Sequence, residues 1–143
     1  MNIFIDTNVL FSTILFGNGI AARAYAKAVS PPNKGKISAY VIEETRRVID
    51  HKFPNDVWRM NKFLAEARGL QIVDTPEEPV VEETLVRDPA DWPIIRAAIF
   101  AEVDILLTGD RDLLESGITK PAIMSPAEFL GRGSVEFPKA DAE

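Results

Sequence analysis

The sequence predicts an α/β domain, a three-layer α/β/α sandwich built on a mainly parallel central sheet. Short apolar runs alternate along the chain with longer alanine-rich or amphipathic stretches, the order that crossover connections between parallel strands produce. The runs Ile3-Phe4-Ile5 and Ile105-Leu106-Leu107 have no polar face, as strands covered on both sides require. A length of 143 residues with 46% hydrophobic content suits one domain with an ordinary core.

Each element has its own signal. Ile3-Phe4-Ile5 is a buried strand. Ile20 to Val29 is alanine-rich and helical, and Ser30-Pro31-Pro32-Asn33-Lys34-Gly35 is a loop. Ser38 stands at the N-cap region of a helix from about Val41 to Asp50. A further helix runs from Asp56 to Arg68, ended by Gly69, and Leu70 to Val73 is a strand. Pro76 and Pro79 mark another loop. Pro93 sits where helices begin, and its helix runs to about Glu102. Asp104 to Thr108 is a strand closed by Gly109. Ala122-Ile123-Met124 is the last strand, and Ser125-Pro126 starts a final short helix. Residues from Gly131 onward are polar with little apolar periodicity. The expected division is a domain over 1–131 and a loose tail over 132–143.

Composition narrows the chemistry. There is no cysteine and one histidine, so disulfides, thiolate nucleophiles and the usual zinc sites are excluded. His51 stands at a helix end before Pro54, where its charge favours the helix dipole. Any catalysis then rests on carboxylates, whose oxygens suit Mg²⁺ and Mn²⁺. A net charge of −6 opposes a broad electrostatic grip on nucleic acid, though a cation among clustered acids would neutralise part of it. The apolar stretch from Ile3 to Phe16 is interrupted by Asp6 and Asn8, is too short to span a bilayer and lacks a basic leader. The expectation is no membrane segment and a cytoplasmic location.

Four carboxylates have placements that point to a site. Asp6 and Asp110 each follow a wholly apolar strand, and ligands of open α/β sheets bind beyond the carboxyl ends of strands. Either alone reads as a helix cap; the pair shifts the reading towards a site. At about 100° per residue, Val41, Thr45, Val48 and Ile49 form one stripe, with Glu44 at its edge and Glu43 turned outward. The bland role for Glu44 is a surface pair with Arg47. Asp91 stands at a helix entrance, where capping is the ordinary role, and Asp88 before Pro89 is a turn residue. Acids gathered together repel and raise one another's pKa. Divalent cations reverse that sign and can activate water for phosphoryl displacement.

The ordered set MNIFIDTNVL (Met1 to Leu10), ISAYVIEETRRVIDHKF (Ile37 to Phe53), RDPADWPIIRAAIF (Arg87 to Phe100), DILLTGDRDLL (Asp104 to Leu114) and IMSPAEFL (Ile123 to Leu130) resembles a PIN domain. It looks like the bacterial VapC-related group of toxin–antitoxin systems. The resemblance runs to about residue 131. It implies that Asp6, Glu44, Asp91 and Asp110 are catalytic and metal-binding, with Asp112 as a fifth, more variable acid. It implies that Asn8 and Thr108 orient the acids. It further implies a Mg²⁺- or Mn²⁺-dependent endoribonuclease acting on RNA, often a homodimer, held inactive by an antitoxin partner. Arg47 and Arg111 are plausible phosphate contacts. Thr45 stands where the family usually has a bulky apolar residue, which makes Glu43 the fallback for Glu44.

Two other classes compete. An aspartate-dependent phosphohydrolase is one, but in Asp6-Thr7-Asn8 an asparagine stands where an Asp-x-Asp motif needs its second carboxylate. A catalytically silent module of the same fold, binding a basic protein, is the other; retention of all four acids speaks against decay.

Overall fold

A computed structural model of the protein describes residues 1–136. The central sheet has five strands: β1 (Asn2–Ile5), β2 (Lys34–Ser38), β3 (Leu70–Val73), β4 (Ile105–Leu107) and β5 (Ala122–Met124). Their order is β3-β2-β1-β4-β5, and every neighbouring pair is parallel. The α/β fold class is as the sequence predicts.

Among the described residues, seven α-helices connect and flank the strands: α1 (Thr7–Leu15), α2 (Ile20–Ala28), α3 (Ala39–Lys52), α4 (Val57–Glu66), α5 (Trp92–Phe100), α6 (Arg111–Leu114) and α7 (Pro126–Glu136). The chain steps from β1 to β3 in one direction and from β4 to β5 in the other. Right-handed crossovers therefore put α1–α4 on one face and α5 and α6 on the other. Packing among α1, α2, α3 and α4 follows from this. The core lies between the layers. Ile3, Phe4 and Ile5 of β1 and Leu106 and Leu107 of β4 are fully buried there. Each such side chain contributes about 1.5–3 kcal/mol of burial free energy.

Two expectations are corrected. Lys34 and Gly35 begin strand β2 rather than ending a loop. The strand has no apolar run because Lys34 and Lys36 are polar and Gly35 must be small: a Cβ there would lie 2.7 Å from a Val29 methyl and 3.2 Å from the Gly69 carbonyl. The segment from Thr7 forms the helix that the capping reading of Asp6 implies, α1, with the Asp6 carboxylate accepting from the Thr7 N–H. The final helix is not short: α7 continues through residues 132–136, into the stretch expected as tail. It opens with a reciprocal cap, in which Ser125 Oγ accepts from Glu128 N at 3.1 Å and Glu128 Oε1 accepts from Ser125 N at 2.9 Å. The rest of the expected tail, 137–143, lies outside the described residues.

Candidate metal centre

The switch point of the sheet falls between β1 and β4, where strand order reverses direction, and there Asp6 and Asp110 emerge side by side. Asp6 N–H donates to the Leu107 carbonyl at 3.1 Å, which locks the two strand ends together. Pairing of Ile5 with Leu107 puts both aspartates at the same carboxyl edge. An open pocket of about 270 Å³ lies beyond this edge, lined by Asp6, Thr7, Asn8, Phe11, Glu44, Val48, Asp91 and Asp110. A larger cleft of about 440 Å³ lies at the opposite edge, beside Asp104 and Lys120. Among the described residues its acids form no cluster at ligand spacing, whereas the switch-point acids do.

Asp6 is 3% exposed and fully engaged. Its Oδ1 accepts from Thr7 N at 2.7 Å, and its Oδ2 accepts from Thr108 Oγ1 at 2.7 Å and Asn8 Nδ2 at 3.2 Å. Burial pushes its carboxyl up to about 6, against the Thr108 and Thr7 hydrogen bonds, with the Glu44 and Asp110 charges adding to the rise. Asn8 also accepts from the Gly109 N–H at 2.8 Å, and buried Thr108 accepts from Asp110 N at 3.0 Å. Asn8 and Thr108 thus stitch the loop after β1 to the loop after β4.

Asp91 opens α5, yet its side chain makes no capping hydrogen bond. The ordinary role for an aspartate at that position is absent, and the carboxyl turns to the pocket. Burial, a hydrogen bond with Asp110 and the charges of Asp110, Asp6 and Asp88 push it up to about 8. Asp88 caps the short 3-10 turn Pro89–Asp91 that leads into α5, accepting from Ala90 N at 3.0 Å. Asp110 does both jobs: it caps α6 through Asp112 N at 2.9 Å and lines the pocket. Asp91, Asp110 and Asp112 each offer an oxygen within 4.8 Å of the other two. Asp112 also forms an ion pair with Arg87 at 2.7 Å, which holds its carboxyl below the usual range.

Glu44 lines the pocket, while Glu43 is exposed. Rather than pairing with Arg47, Glu44 accepts from the Thr7 hydroxyl at 2.5 Å. Arg47 is exposed on α3, and Arg111 pairs with Glu115 at 3.2 Å on the surface. His51 is exposed in the last turn of α3, away from the pocket lining.

Thr7, Tyr40 and Arg87 escaped the sequence reading. Thr7 lies within Asp6-Thr7-Asn8, and Tyr40 precedes Glu44 by four residues, one turn on the same helical face. Tyr40 donates to the Ala90 carbonyl at 2.7 Å, tying α3 to the turn that carries Asp91. Arg87 had no signal beyond its place beside Asp88, since its partner is 25 residues away.

An all-parallel sheet with a carboxylate pocket at its switch point defines an α/β domain with an acidic site whose oxygen donors suit a divalent cation. Residues 2–112 match the PIN domain, and the chain belongs to that family, a family of nucleases. No curated protein sequence matches the chain. Its fold is similar to a chain of VapBC2 from Rickettsia felis, whose crystal structure is bound to a DNA fragment from their promoter. There the TM-score is 0.64 at 16% identity, over 87% of this chain and 98% of that one. It is also similar to VapC20 from Mycobacterium tuberculosis, a Sarcin-Ricin loop cleaving toxin, with a TM-score of 0.60 at 17% identity over 81% and 95% of the two chains.

Proposed function

We propose that the protein is a divalent-metal-dependent endoribonuclease, the toxin component of a toxin–antitoxin pair. The observation that carries this is the convergence of Asp91, Asp110 and Asp112 within 4.8 Å, with Asp91 and Asp110 lining one pocket together with Asp6 and Glu44. Uncompensated acids so close cost stability, as the raised Asp91 carboxyl records. Hard carboxylate oxygens and no nitrogen or sulfur donor fit Mg²⁺ or Mn²⁺.

Asp91, Asp110 and Asp112 would hold the cation, with Asp6 and Glu44 completing the negative wall. When bound, the cation supplies an activated water and charge stabilisation at a phosphodiester. Asp6 is immobile because three donors hold its two oxygens. Glu44 is aimed by Thr7, and Asn8 and Thr108 keep the two strand-end loops in register. Such support keeps a site within the tolerance that metal chemistry needs. Membership of the PIN family and fold similarity to VapC20 support RNA as the substrate. A protein antitoxin, a homodimeric state and a cytoplasmic place of action belong to the same reading.

The test is cleavage of single-stranded RNA with Mn²⁺, with EDTA, and with Asp6→Asn and Asp110→Asn. The wild type should cut only with metal, and both variants should be folded and inactive. Cleavage of a phosphomonoester instead of RNA would transfer the protein to the phosphohydrolases. If neither is cut and a small basic protein binds, it is a silent binding module.

A further inference from the structure

An acidic pocket repels the polyanion it is proposed to cut, so some cation of the chain must meet the phosphates at its mouth. The expected candidates do not lie equally well. Of the two, Arg47 is exposed on α3 with no ion pair to the pocket acids among the described residues, and Arg111 pairs along its own helix end with Glu115 at 3.2 Å; Arg96, which was not expected to take part, is drawn inward to Glu83 at 2.6 Å. Among the described residues, Arg87 is the one arginine in an ion pair with the acidic cluster itself, through Nη2 and Asp112 Oδ2. Its side chain is 76% exposed. A guanidinium has five N–H donors in a planar fork, and that one pairing leaves donors facing solvent beside the cluster. The fork fits a phosphate bidentately.

Resting on the nuclease reading above, we propose that Arg87 is a substrate-binding residue, which contacts an RNA phosphate at the rim of the pocket. Its neighbours make it ready for this. The Asp112 carboxylate holds the guanidinium at the rim in the RNA-free protein. Asp88, the next residue, is occupied in capping Ala90, so the backbone beneath Arg87 belongs to a fixed turn. That turn is anchored further by Tyr40 on the Ala90 carbonyl and by Trp92 Nε1 on the Val86 carbonyl at 3.0 Å.

The experiment is fluorescence anisotropy of a labelled single-stranded RNA oligonucleotide over a salt series, in the Asp6→Asn background so that the RNA stays whole. Arg87→Ala should weaken binding about tenfold, the loss of one charge-assisted contact. It should also make the slope of log K against log salt shallower by about 0.7, one phosphate on a single strand. Arg87→Lys should keep the slope and recover only part of the affinity, since the charge remains and the fork is lost. Mn²⁺ binding without RNA, followed by calorimetry, supplies the structural control. If wild type cuts RNA but Arg87→Ala keeps both affinity and slope, the inference is overturned. It is equally overturned if the variant changes only Mn²⁺ affinity, because Arg87 then merely orients Asp112. A wild type that neither binds nor cuts RNA overturns the nuclease reading itself.

Discussion

Asp91→Asn should stabilise the cation-free protein in alkali and leave it almost unchanged in acid. In the fold, Asp91 holds its proton to about pH 8, while its ordinary value is 3.8. Between those values the folded state binds more protons than the unfolded one, so stability falls as pH rises through that window. About four pKa units at roughly 1.4 kcal/mol each set a ceiling of about 6 kcal/mol. Asp91 is only half-buried, and solvent at the pocket mouth screens much of this, so about 2 kcal/mol is expected. Asparagine keeps the shape, donates an amide to Asp110 and cannot ionise. Helix capping is not lost, because Asp91 caps nothing. The assay is urea unfolding of both proteins in EDTA at about pH 3 and about pH 9, either side of the titration window. The variant's advantage should grow from near zero to about 2 kcal/mol, which the difference between the proteins isolates from every other titrating group. With Mn²⁺ the order should narrow or reverse, since ligation of the native state adds about 2.7 kcal/mol at a hundredfold excess over Kd. An advantage that is equal at both pH values, or a variant less stable in alkali, would refute the claim that the fold strains Asp91 electrostatically.

Three further outcomes follow from individual contacts. Thr7→Val removes the donor that aims Glu44, and Mn²⁺ affinity by calorimetry should fall about tenfold or more; unchanged affinity would show Glu44 needs no such support. Thr45→Val replaces a fully buried hydroxyl that has no hydrogen-bond partner, so the protein should gain about 1 kcal/mol and about 3 °C in Tm. A lower melting temperature would mean that hydroxyl is satisfied after all. Gly109→Ala puts a Cβ 3.2 Å from Asn8 Oδ1, which should displace the Asn8 amide and reduce RNA cleavage severalfold while moving unfolding free energy by less than about 1 kcal/mol. Equal cleavage with equal stability would show that the Asn8 bridge is dispensable.

Much of the architecture was legible because it rests on local regularities. Apolar runs without a polar face marked β1, β4 and β5, and the spacing of Val41, Thr45 and Ile49 turned Glu44 towards the core rim. Strand β2 was illegible because tertiary packing overrode its local signals: Gly35 reads as a loop residue until Val29 and Leu70 are seen pressed against it. Thr7, Tyr40 and Arg87 escaped because their partners Glu44, Ala90 and Asp112 are respectively 37, 50 and 25 residues away.

Periodicity and composition were enough to point to a parallel α/β domain in which any catalysis would fall to carboxylates, because those properties repeat over a few residues. Which of the acids share a pocket, which merely cap helices and which arginine faces them was decided only by folding. Asp88 and Asp91 are three residues apart and chemically identical, yet one bonds a helix N–H and the other crowds Asp110. That difference arises from strand register and long-range packing, which bring together charges that chain order keeps apart.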